Sequence, residues 1–427
     1  MENKLNYKRT FFIGLAFLSI SAFWQLYDNI VPLILQNTFG MKETVTGMIM
    51  AMDNVLALVL LPIFGTLSDK VDTRLGKRMP FIVCGTILAV FFMMLLPTAD
   101  KGRNFVLFVT ALFLTLISMG LYRSPAVALM PDLTPNHLRS RANAVINLMG
   151  AVGGVYTLIM IKLLVEKGST PDFLPLFISV AALMVIAVGT LVIFIRENKL
   201  KKELLEATGA NETDKERTKT KLPLPKEVKR SMMFLLTSIF LWFTAYNAVT
   251  TAFSRYTKVV WKLEGGGFAD CLLVATIAAI IAYIPIGHIA SRFGRKKIIM
   301  GGISLMAACY GVAIFVGEYH PLINVAFALI GMAWAAIGVN SYPMIVAMSK
   351  GSDIGKFTGT YYTFSMSAQI LTPILSGVLL EKISYRTLFP YALLFSLLAL
   401  LTMTQVRHGD VKPEKKKSAL ENFAVED

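Results

Sequence analysis

The sequence predicts an all-α membrane protein with twelve transmembrane helices in two six-helix halves. Its 427 residues are 55% hydrophobic and 16% charged, and the mean hydropathy is +0.61. Soluble domains are more charged and less apolar than this. Twelve apolar runs are each long enough to cross a hydrocarbon core of about 30 Å as a helix that rises about 1.5 Å per residue. One long polar stretch separates the first six runs from the last six.

The apolar runs indicate helices rather than barrel strands, because barrel strands are about ten residues long and alternate in polarity. The first run follows the basic segment MENKLNYKRT, but it is 27 residues long, carries Asp28 and lacks a small-residue cleavage site. We therefore expect it to be retained as a span and not removed as a signal peptide. The predicted spans are 10–36, 44–68, 80–97, 103–130, 139–165, 172–195, 230–254, 267–290, 297–317, 321–348, 356–380 and 386–407.

Lysine and arginine are distributed unevenly between the two sides of the membrane. With twelve spans both termini lie on one side, and that side holds 31 of the 42 basic residues against 9 on the other. The positive-inside rule then places both termini in the cytoplasm of a multi-pass protein, which we expect in the cell membrane. The net charge of +15 is thus a topology signal, and no nucleic-acid partner is needed to explain it.

The polar stretch 196–230 contains 11 basic and 7 acidic residues, which is typical of a solvated linker. We expect a short amphipathic helix near Lys199 to Ala207 within it. The predicted organisation is a first half over 1–195, a cytoplasmic linker over 196–229, a second half over 230–407 and a cytoplasmic tail over 408–427.

The two halves contain similar sequence motifs at equivalent positions. GTLSDKVDTRLGKRMPFI, which starts at Gly65, follows the second span, and GHIASRFGRKKII, which starts at Gly287, follows the eighth. Spans one and seven likewise share a tryptophan, a tyrosine and an asparagine at similar spacing. Two six-helix repeats joined by a cytoplasmic linker are the organisation of secondary transporters whose solute site lies between the halves.

These loops resemble those of the major facilitator superfamily. The lengthened form SDKVDTRLGKRMPFI, and RSPAVALMPDLTPNHLRSRANAV at 123–145, are similar to the loops of sucrose/proton symporters and of the glycoside-pentoside-hexuronide cation symporters. The resemblance covers nearly the whole chain in layout and implies the major facilitator fold. It also implies a proton- or cation-coupled sugar or glycoside symporter that works by alternating access.

The resemblance further implies a conformational latch at the cytoplasmic ends of the spans. We expect Asp69 to cap a neighbouring helix or to pair with Arg139 or Arg141, and Ser291 to make the second copy weaker or different because it replaces the acid. The predicted gate residues are Gly65, Asp69, Arg74, Gly76, Arg78, Asp132, Arg139, Arg141, Gly287, Arg292, Gly294 and Arg295.

Three ionisable residues fall well within the predicted spans: Asp28, Asp53 and Arg123. Each costs about 2.5 to 3.5 kcal/mol at a helix centre, so we expect all three to face the bundle interior. The two acids lie at similar depth on consecutive spans, and if they also share a face, their mutual repulsion would favour protonation of at least one, which suits a proton carrier. They can alternatively form a ligand set for Na⁺. Arg123 can neutralise either acid during transport, or it can belong to a static salt bridge.

A comparison with the melibiose-type branch of these cation symporters limits which ion the chain is expected to bind. Its two acids lie on the second helix immediately before a Pro-x-x-Gly, which here is Pro62 to Gly65. The residues immediately before Pro62 are apolar here, and Asp53 lies two turns or more earlier. The sodium site of that branch is therefore not carried over, which favours proton coupling.

Several spans carry the neutral polar and aromatic side chains that bind sugars, although each of these also serves as ordinary packing between membrane helices. Intramembrane cations are scarce, which disfavours a phosphate or dicarboxylate solute. The predicted solute-binding residues are Trp24, Tyr27, Asn29, Asn143, Asn147, Trp242, Tyr246, Asn247, Trp334, Asn340, Tyr361, Ser365 and Gln369.

Other functions are less consistent with the residues. No acid-base or metal-ligand constellation is evident, so we predict neither an enzyme nor a cofactor or metal site. A carrier of another small neutral solute, a lysolipid carrier and a non-transporting solute receptor remain alternatives. The predicted partners are a sugar or glycoside, H⁺ or Na⁺ and the lipid bilayer, and the predicted state is a monomer.

Overall fold

The computed structural model describes residues 5–135, 138–168, 171–208, 225–348 and 354–410. In this part of the chain the secondary structure is helical, and twelve of the helices are long. They are α1 (Tyr7–Asn37), α2 (Glu43–Lys70), α3 (Met79–Lys101), α4 (Phe105–Asp132), α5 (Arg139–Leu164), α6 (Leu174–Phe194), α8 (Lys226–Val259), α9 (Ala269–Phe293), α10 (Arg295–Ile314), α11 (Ile323–Met348), α12 (Ile354–Lys382) and α13 (Leu388–Thr404). A shorter helix, α7 (Glu197–Thr208), follows α6.

The prediction of an all-α membrane protein is confirmed. Eleven helices in the described chain are long and apolar enough to span a membrane, and α9 contributes a shorter apolar helix, Ala269–Tyr283. The helix bounds differ from the predicted spans mainly at their polar ends, where apolar runs stop but backbone hydrogen bonding continues. The largest differences concern α8, which extends to Val259 instead of residue 254, and α3, which extends to Lys101 instead of residue 97.

The described helices divide into two compact units. The first contains α1, α2 from Met52 onward, and α3 to α7, and the second contains the start of α2 up to Ala51 together with α8 to α13. The helix predicted in the linker is α7, whereas residues 209–224 of the linker and 411–427 of the tail lie outside the described residues. The predicted domain boundaries therefore stay predictions.

Glycines bring the helices of the first unit into close contact. The helix α1 packs against α5 and α6, and α3 packs against α4 and α6. A Cβ added at Gly153 would overlap the backbone of Leu18, and one at Gly85 would lie 2.7 Å from the backbone nitrogen of Tyr122. Small residues at such crossings let helix backbones approach without a side chain between them.

The second unit is built in the same way. The helix α8 packs against α12 and α13, while α11 packs against α9 and α10. A Cβ at Gly331 would overlap the backbone of Ala275, and one at Gly377 would lie 2.7 Å from the carbonyl oxygen of Glu43. The first turns of α2 therefore lie directly against α12 within this unit.

Candidate functional site

The first unit contains a small cavity that is lined by α1, α2 and α4. Two of the three predicted coupling residues, Asp53 and Arg123, line it together with the predicted solute-binding residue Trp24. The remaining lining residues are Ala57, Leu60, Leu61, Leu116, Met119 and Gly120. The cavity thus places an acid, an arginine and an indole ring among apolar side chains.

Asp53 is held by the residue that follows it. The Asn54 side chain donates a hydrogen bond of 2.7 Å from Nδ2 to Asp53 Oδ1, and the backbone N–H of Asn54 donates to the same oxygen. Asp53 also interacts electrostatically with Arg123. Asn54 is not among the predicted site residues, although its position directly after an intramembrane acid is a usable signal.

Asp28 lies half-buried on α1 and interacts electrostatically with Asp53. Among the described residues it makes no hydrogen bond and no ion pair. The structure thus brings the two acids near each other and places Arg123 beside one of them. This is the shared-face arrangement that the sequence left open.

Arg123 lies over an aromatic ring. Its guanidinium carbon is 5.9 Å from the centre of the Trp24 ring, within the range of a cation–π contact. Trp24 in turn packs edge-on against Tyr27, with 5.4 Å between ring centres. The indole Nε1 of Trp24 is buried and has no hydrogen-bond partner among the described residues.

The predicted amides of the first unit are not among the residues that line the cavity. Asn29 is buried, and its Nδ2 donates to Gln25 O at 2.9 Å and to Gln25 Oε1 at 3.2 Å, while its Oδ1 has no partner in the described chain. Asn143 is buried and Asn147 is half-buried, both on α5. Their predicted contact with the solute stays a prediction.

In the second unit two of the predicted aromatic residues stack on each other. Tyr246 on α8 stacks on Trp334 of α11, with ring centres 3.8 Å apart and planes inclined by 9°. Trp242 is fully buried, and its indole nitrogen has no partner in the described chain. Asn247 and Asn340 each donate to the backbone carbonyl four residues earlier, Phe243 O at 2.8 Å and Ala336 O at 2.9 Å.

The predicted polar face of α12 is partly used within its own helix. The Ser365 hydroxyl donates to Tyr362 O at 3.2 Å, and Gln369 Nε2 lies 3.4 Å from Ser365 O. The ring of Tyr361 packs edge-on against Tyr342 of α11, with 5.5 Å between ring centres. Tyr361 and Ser365 are buried. None of these contacts tests whether α12 binds the solute.

At the α2–α3 loop of the first unit, one arginine joins several predicted gate residues. Arg78 Nε donates to Asp132 Oδ2 at 2.8 Å, and its Nη2 forms a short ion pair with Asp69. Burial lowers the pKa of Arg78, but the hydrogen bond and charge of Asp132, with those of Asp69, raise it above its usual value. Ser68 also accepts from Arg78, and Gly65 O lies 3.4 Å away.

The expected partner of Asp69 was different. Arg139 donates to Pro131 O at 2.8 Å and to Thr134 O at 3.3 Å, which satisfies the end of α4. The side chain of Arg78 reaches Asp69 instead, because Arg78 immediately precedes α3 and lies next to the end of α2. Arg74 is exposed, and Arg141 lies half-buried on α5.

A glutamate of the predicted linker stabilises this loop through hydrogen bonds. Glu197, the first residue of α7, is buried and accepts from the backbone N–H groups of Lys77, Arg78 and Met79 at 2.9, 3.0 and 3.1 Å. These are free donors at the N-terminus of α3, where a carboxylate is favoured. Gly76 has φ +116°, and a Cβ there would overlap Glu197, so this turn requires glycine.

The corresponding turn of the second unit uses another downstream acid. Gly294 has φ +89°, and Asp410 Oδ1 accepts from the backbone N–H of Lys296 at 3.0 Å, at the start of α10. Arg295 Nη1 donates to Pro343 O at 3.2 Å. Gly287 and Arg292 lie in the last two turns of α9, and Arg292 is exposed. The expectation that this copy is differently built agrees with the position of Asp410, which the sequence analysis missed.

The second unit also contains a buried ion pair. Its two residues, Glu43 and Arg255, each lie one residue outside a predicted span. Arg255 Nε lies 2.9 Å from Glu43 Oε2 and 3.1 Å from Oε1, and Arg255 Nη1 donates to Thr251 O at 2.7 Å. The hydroxyl of Tyr385 donates to Glu43 in a short hydrogen bond. The predicted second span starts at residue 44 and therefore excludes this buried glutamate, whereas α2 begins at Glu43.

Long apolar helices, with two acids, an arginine and a tryptophan gathered within the first unit, are typical of a multi-pass membrane transporter. The model of the MFS/sugar transport protein family matches residues 12–349, and the chain belongs to that family. The family resemblance read from the two loops is confirmed. The family and the structural neighbours are transporters, which agrees with the prediction that the chain is not an enzyme.

Among curated relatives, the chain is 26% identical over 151 residues to a sucrose transport protein of Arabidopsis thaliana, covering 31% of this chain and 25% of that protein. It is 25% identical over 131 residues to the general alpha-glucoside permease of Schizosaccharomyces pombe, covering 28% and 24%. An uncharacterized MFS-type transporter of Bacillus subtilis is 25% identical over 254 residues, covering 58% and 57%. These matches span less than two thirds of the relatives' own lengths.

Two solved structures have a similar fold. The inward-open xylose transporter of Escherichia coli aligns with a TM-score of 0.66 at 13% identity, covering 97% of this chain and 98% of that one. A bacterial homologue of the iron transporter ferroportin in an inward-facing state aligns with a TM-score of 0.68 at 13% identity, covering 94% and 99%. At such identities the likeness concerns the fold alone.

Proposed function

We propose that the protein is a proton-coupled symporter of a neutral sugar or glycoside that works by alternating access. The observation that carries the proposal is the meeting of Asp28, Asp53 and Arg123 in the first unit, two of them lining one cavity. The names of the sucrose and glucoside relatives support the solute class. The proposal includes the cell membrane as location, with both termini cytoplasmic, and a monomer as the working form.

The charge balance of this group supports a coupled proton. Two carboxylates face one guanidinium, so the group carries one negative charge in excess until an acid takes up a proton. Asp53 already has Asn54 as a donor and Arg123 as a counter-ion, whereas Asp28 has no donor in the described chain. Asp28 is therefore our candidate for the proton carrier, and Asp53 for the fixed partner of Arg123.

The solute-binding role is proposed for the aromatic and amide groups of both units. Aromatic rings bind the C–H face of a sugar, and amides bind its hydroxyl groups. Trp24 beside the acids, and the Tyr246–Trp334 pair in the second unit, are the strongest candidates. The predicted gate at the two loops would exclude water while the site reorients.

A reconstituted assay tests this function. Purified protein in proteoliposomes is given labelled sucrose, maltose, melibiose, D-glucose and D-galactose, each with a pH gradient, a sodium gradient or no gradient. We expect at least one sugar to accumulate under an inward proton gradient. Accumulation under a sodium gradient alone would show that the coupled ion is sodium and not a proton. No sugar movement under any gradient would overturn it in favour of a receptor or a lysolipid carrier, and lysolipid uptake would separate those two.

Asp28→Asn tests the proposed proton carrier. We expect it to abolish accumulation driven by the pH gradient, by tenfold or more, while exchange of labelled for unlabelled sugar continues. Asp172→Asn is the control. Hydrogen bonds from Leu174 N–H at 3.0 Å and Lys101 at 3.1 Å hold the pKa of Asp172 below its usual range, so it stays ionised and carries no proton. Unchanged accumulation in Asp28→Asn would move the role to another residue.

A further inference from the structure

We infer that the small cavity of the first unit binds one ordered water molecule. This water accepts hydrogen bonds from Arg123 and from the indole Nε1 of Trp24, and it donates a hydrogen bond to Asp53. It joins the acid to the arginine in place of a direct ion pair. The inference goes beyond the proposed function, because it holds whichever solute and ion the protein moves.

Arg123 and Asp53 line the same cavity without a direct bond between them. In the described chain Arg123 makes no hydrogen bond and no ion pair, although its charge acts on Asp53. Oδ1 of Asp53 accepts from both donors of Asn54, and Oδ2 accepts no hydrogen bond from any described residue. Because an unpaired guanidinium is costly inside a membrane, Arg123 requires a further acceptor beside it.

The third polar group at this cavity is the indole of Trp24. Its Nε1 is buried without an acceptor among the described residues, which is destabilising. The guanidinium and the indole donate, whereas Oδ2 of Asp53 accepts. A water molecule accepts two hydrogen bonds and donates two, so a single water can serve all three groups. Three hydrogen bonds are also the usual number for a buried water.

The cavity has the size and the walls of a water site. It has room for about one water molecule. The Ser124 hydroxyl donates to Leu61 O at 2.8 Å, and a Cβ added at Gly120 would lie 3.3 Å from Cβ of Leu60. These contacts fix the distance between α4 and α2 beside the cavity. The other lining side chains are apolar, so the water has only the three polar groups to bind.

A metal cation fits this cavity less well than water. Hard cations take several oxygen ligands, and Asp53 offers a single uncommitted oxygen here. Among the described residues no group of three or more His, Cys, Asp or Glu side chains could hold a metal ion. A cation would also lie against the positive charge of Arg123. The cavity therefore selects a small neutral molecule that both donates and accepts hydrogen bonds.

A bridging water changes how the acid and the arginine act on each other. A direct ion pair in an apolar cavity would bring the two charges into contact, whereas a water between them lets them interact at a longer distance. Arg123 keeps its contact with the face of Trp24, 5.9 Å from the ring centre, and Asp53 keeps both donors of Asn54. The water thus links the pair while each side chain retains its present partner.

A high-resolution density map of the purified protein tests the inference directly. We expect a water peak within about 2.7–3.2 Å of an Arg123 guanidinium nitrogen, Trp24 Nε1 and Asp53 Oδ2. In Trp24→Phe, which keeps a ring but removes the N–H donor, the peak should weaken or disappear. A map without the peak, a peak surrounded by several oxygens as for a cation, or a direct contact between Arg123 and Asp53 overturns the inference. So does an unchanged peak in Trp24→Phe.

Exchange of the indole protons tests the water in solution. In protein that carries isotope-labelled tryptophan, Trp24→Phe and Trp242→Phe assign the two nuclear magnetic resonance signals. Trp242 is the internal control, because it is fully buried and its Nε1 is likewise unpartnered in the described chain. With a water against its indole, Trp24 should exchange with deuterated water at least about tenfold faster than Trp242. Equal exchange rates contradict the inference.

Ala57→Val tests whether the cavity is responsible. Ala57 lines the cavity, so the larger side chain takes the place of the water, and exchange at Trp24 should slow toward the rate of Trp242. Val59→Ile adds a methyl group at an exposed position of the same helix, and it should leave the Trp24 rate within about twofold of the parent. A Trp24 rate that is unchanged in Ala57→Val contradicts the inference.

Two further points keep these tests decisive. A Tm near that of the parent shows that Ala57→Val is folded, and if it is not, the maps of the parent and of Trp24→Phe decide. None of these measurements depends on transport. A failed sugar assay therefore leaves the water inference standing, and a missing water leaves the proposed transport function standing.

Discussion

Each unit buries one arginine among its described residues, but the partners of the two arginines differ. Arg78 of the first unit has a side chain that is 8% exposed, while its partners Asp69 and Asp132 are 61% and 40% exposed. Arg255 of the second unit is 5% exposed and its partner Glu43 only 3%. One arginine therefore faces hydrated acids, and the other shares a dehydrated ion pair.

This difference in exposure determines which of the two interactions costs more free energy to break. If Arg78 loses its acids, they return to water that already reaches them. If Glu43 loses Arg255, its buried carboxylate keeps only the hydrogen bond from the Tyr385 hydroxyl among the described residues. Removing one partner of a buried pair costs about 3–5 kcal/mol, whereas exposed pairs contribute about 0–1 kcal/mol. We therefore expect the Arg78 cluster to rearrange readily and the Arg255 pair to act as a fixed joint of its unit.

The largest expected effect comes from Arg255→Met. This change keeps most of the side-chain volume but leaves Glu43 buried without a cation, so we expect a loss of about 3–5 kcal/mol in the free energy of unfolding. Thermal unfolding of the purified protein in detergent would measure it as a lower Tm. The double variant Arg255→Met with Glu43→Met should recover most of the loss, because no buried charge remains. A double variant as unstable as the single one would show that the pair itself, and not an orphaned charge, holds the unit.

Arg78→Met should destabilise less. It removes the hydrogen bonds to Ser68, Asp69 and Asp132, but the two acids rehydrate, so we expect a loss of about 1–3 kcal/mol. Arg74→Met, at an exposed position of the same loop, is the matched control and should lie within about 0.5 kcal/mol of the parent. If Arg78→Met lowered the Tm as much as Arg255→Met, the contrast between the hydrated and the dehydrated arginine would be wrong.

The sequence was sufficient for the helices because each apolar run is long and uninterrupted. It was insufficient where a helix continues into polar residues. Arg255 and Glu43 each lie one residue beyond a predicted span, since hydropathy decides where an apolar run stops, while backbone hydrogen bonds decide where a helix stops. The repeat pattern located the gate loops, but it could not choose between Arg78 and Arg139 as the partner of Asp69.

The charged residues of the candidate site could be predicted from the sequence, but their hydrogen-bond partners could not. An acid inside an apolar span is visible in any sequence, and so Asp28, Asp53 and Arg123 were found. Which acid is hydrogen-bonded depends on side-chain rotamers, so the role of Asn54 appears only in the structure. Glu197 and Asp410 were missed because each is distant in sequence from the turn that it holds.

Glu197 and Asp410 allow the two units to be compared through smaller changes in the free energy of unfolding. Glu197 is buried and accepts from three backbone N–H groups at the start of α3. We expect Glu197→Ala to cost about 2 kcal/mol, near the upper limit for loss of a helix cap. The readout is Tm, with Glu197→Gln expected to fall between the parent and Glu197→Ala because the amide keeps one acceptor oxygen. A Glu197→Gln variant as stable as the parent would show that the negative charge contributes nothing at this helix end.

Asp410 should give the smallest effect, because it is exposed and accepts from one backbone N–H, that of Lys296. We expect Asp410→Ala to cost about 0.5–1 kcal/mol, and Asp410→Asn to cost almost nothing, since asparagine caps helices as well as aspartate. Thermal unfolding of both variants beside Glu197→Ala would rank the two turns on one scale. The reverse ranking, with Asp410→Ala the less stable, would mean that the segment after α13 supports its unit more strongly than α7 supports the first. In that case the strength of each turn would not follow the number of N–H groups that its acid accepts.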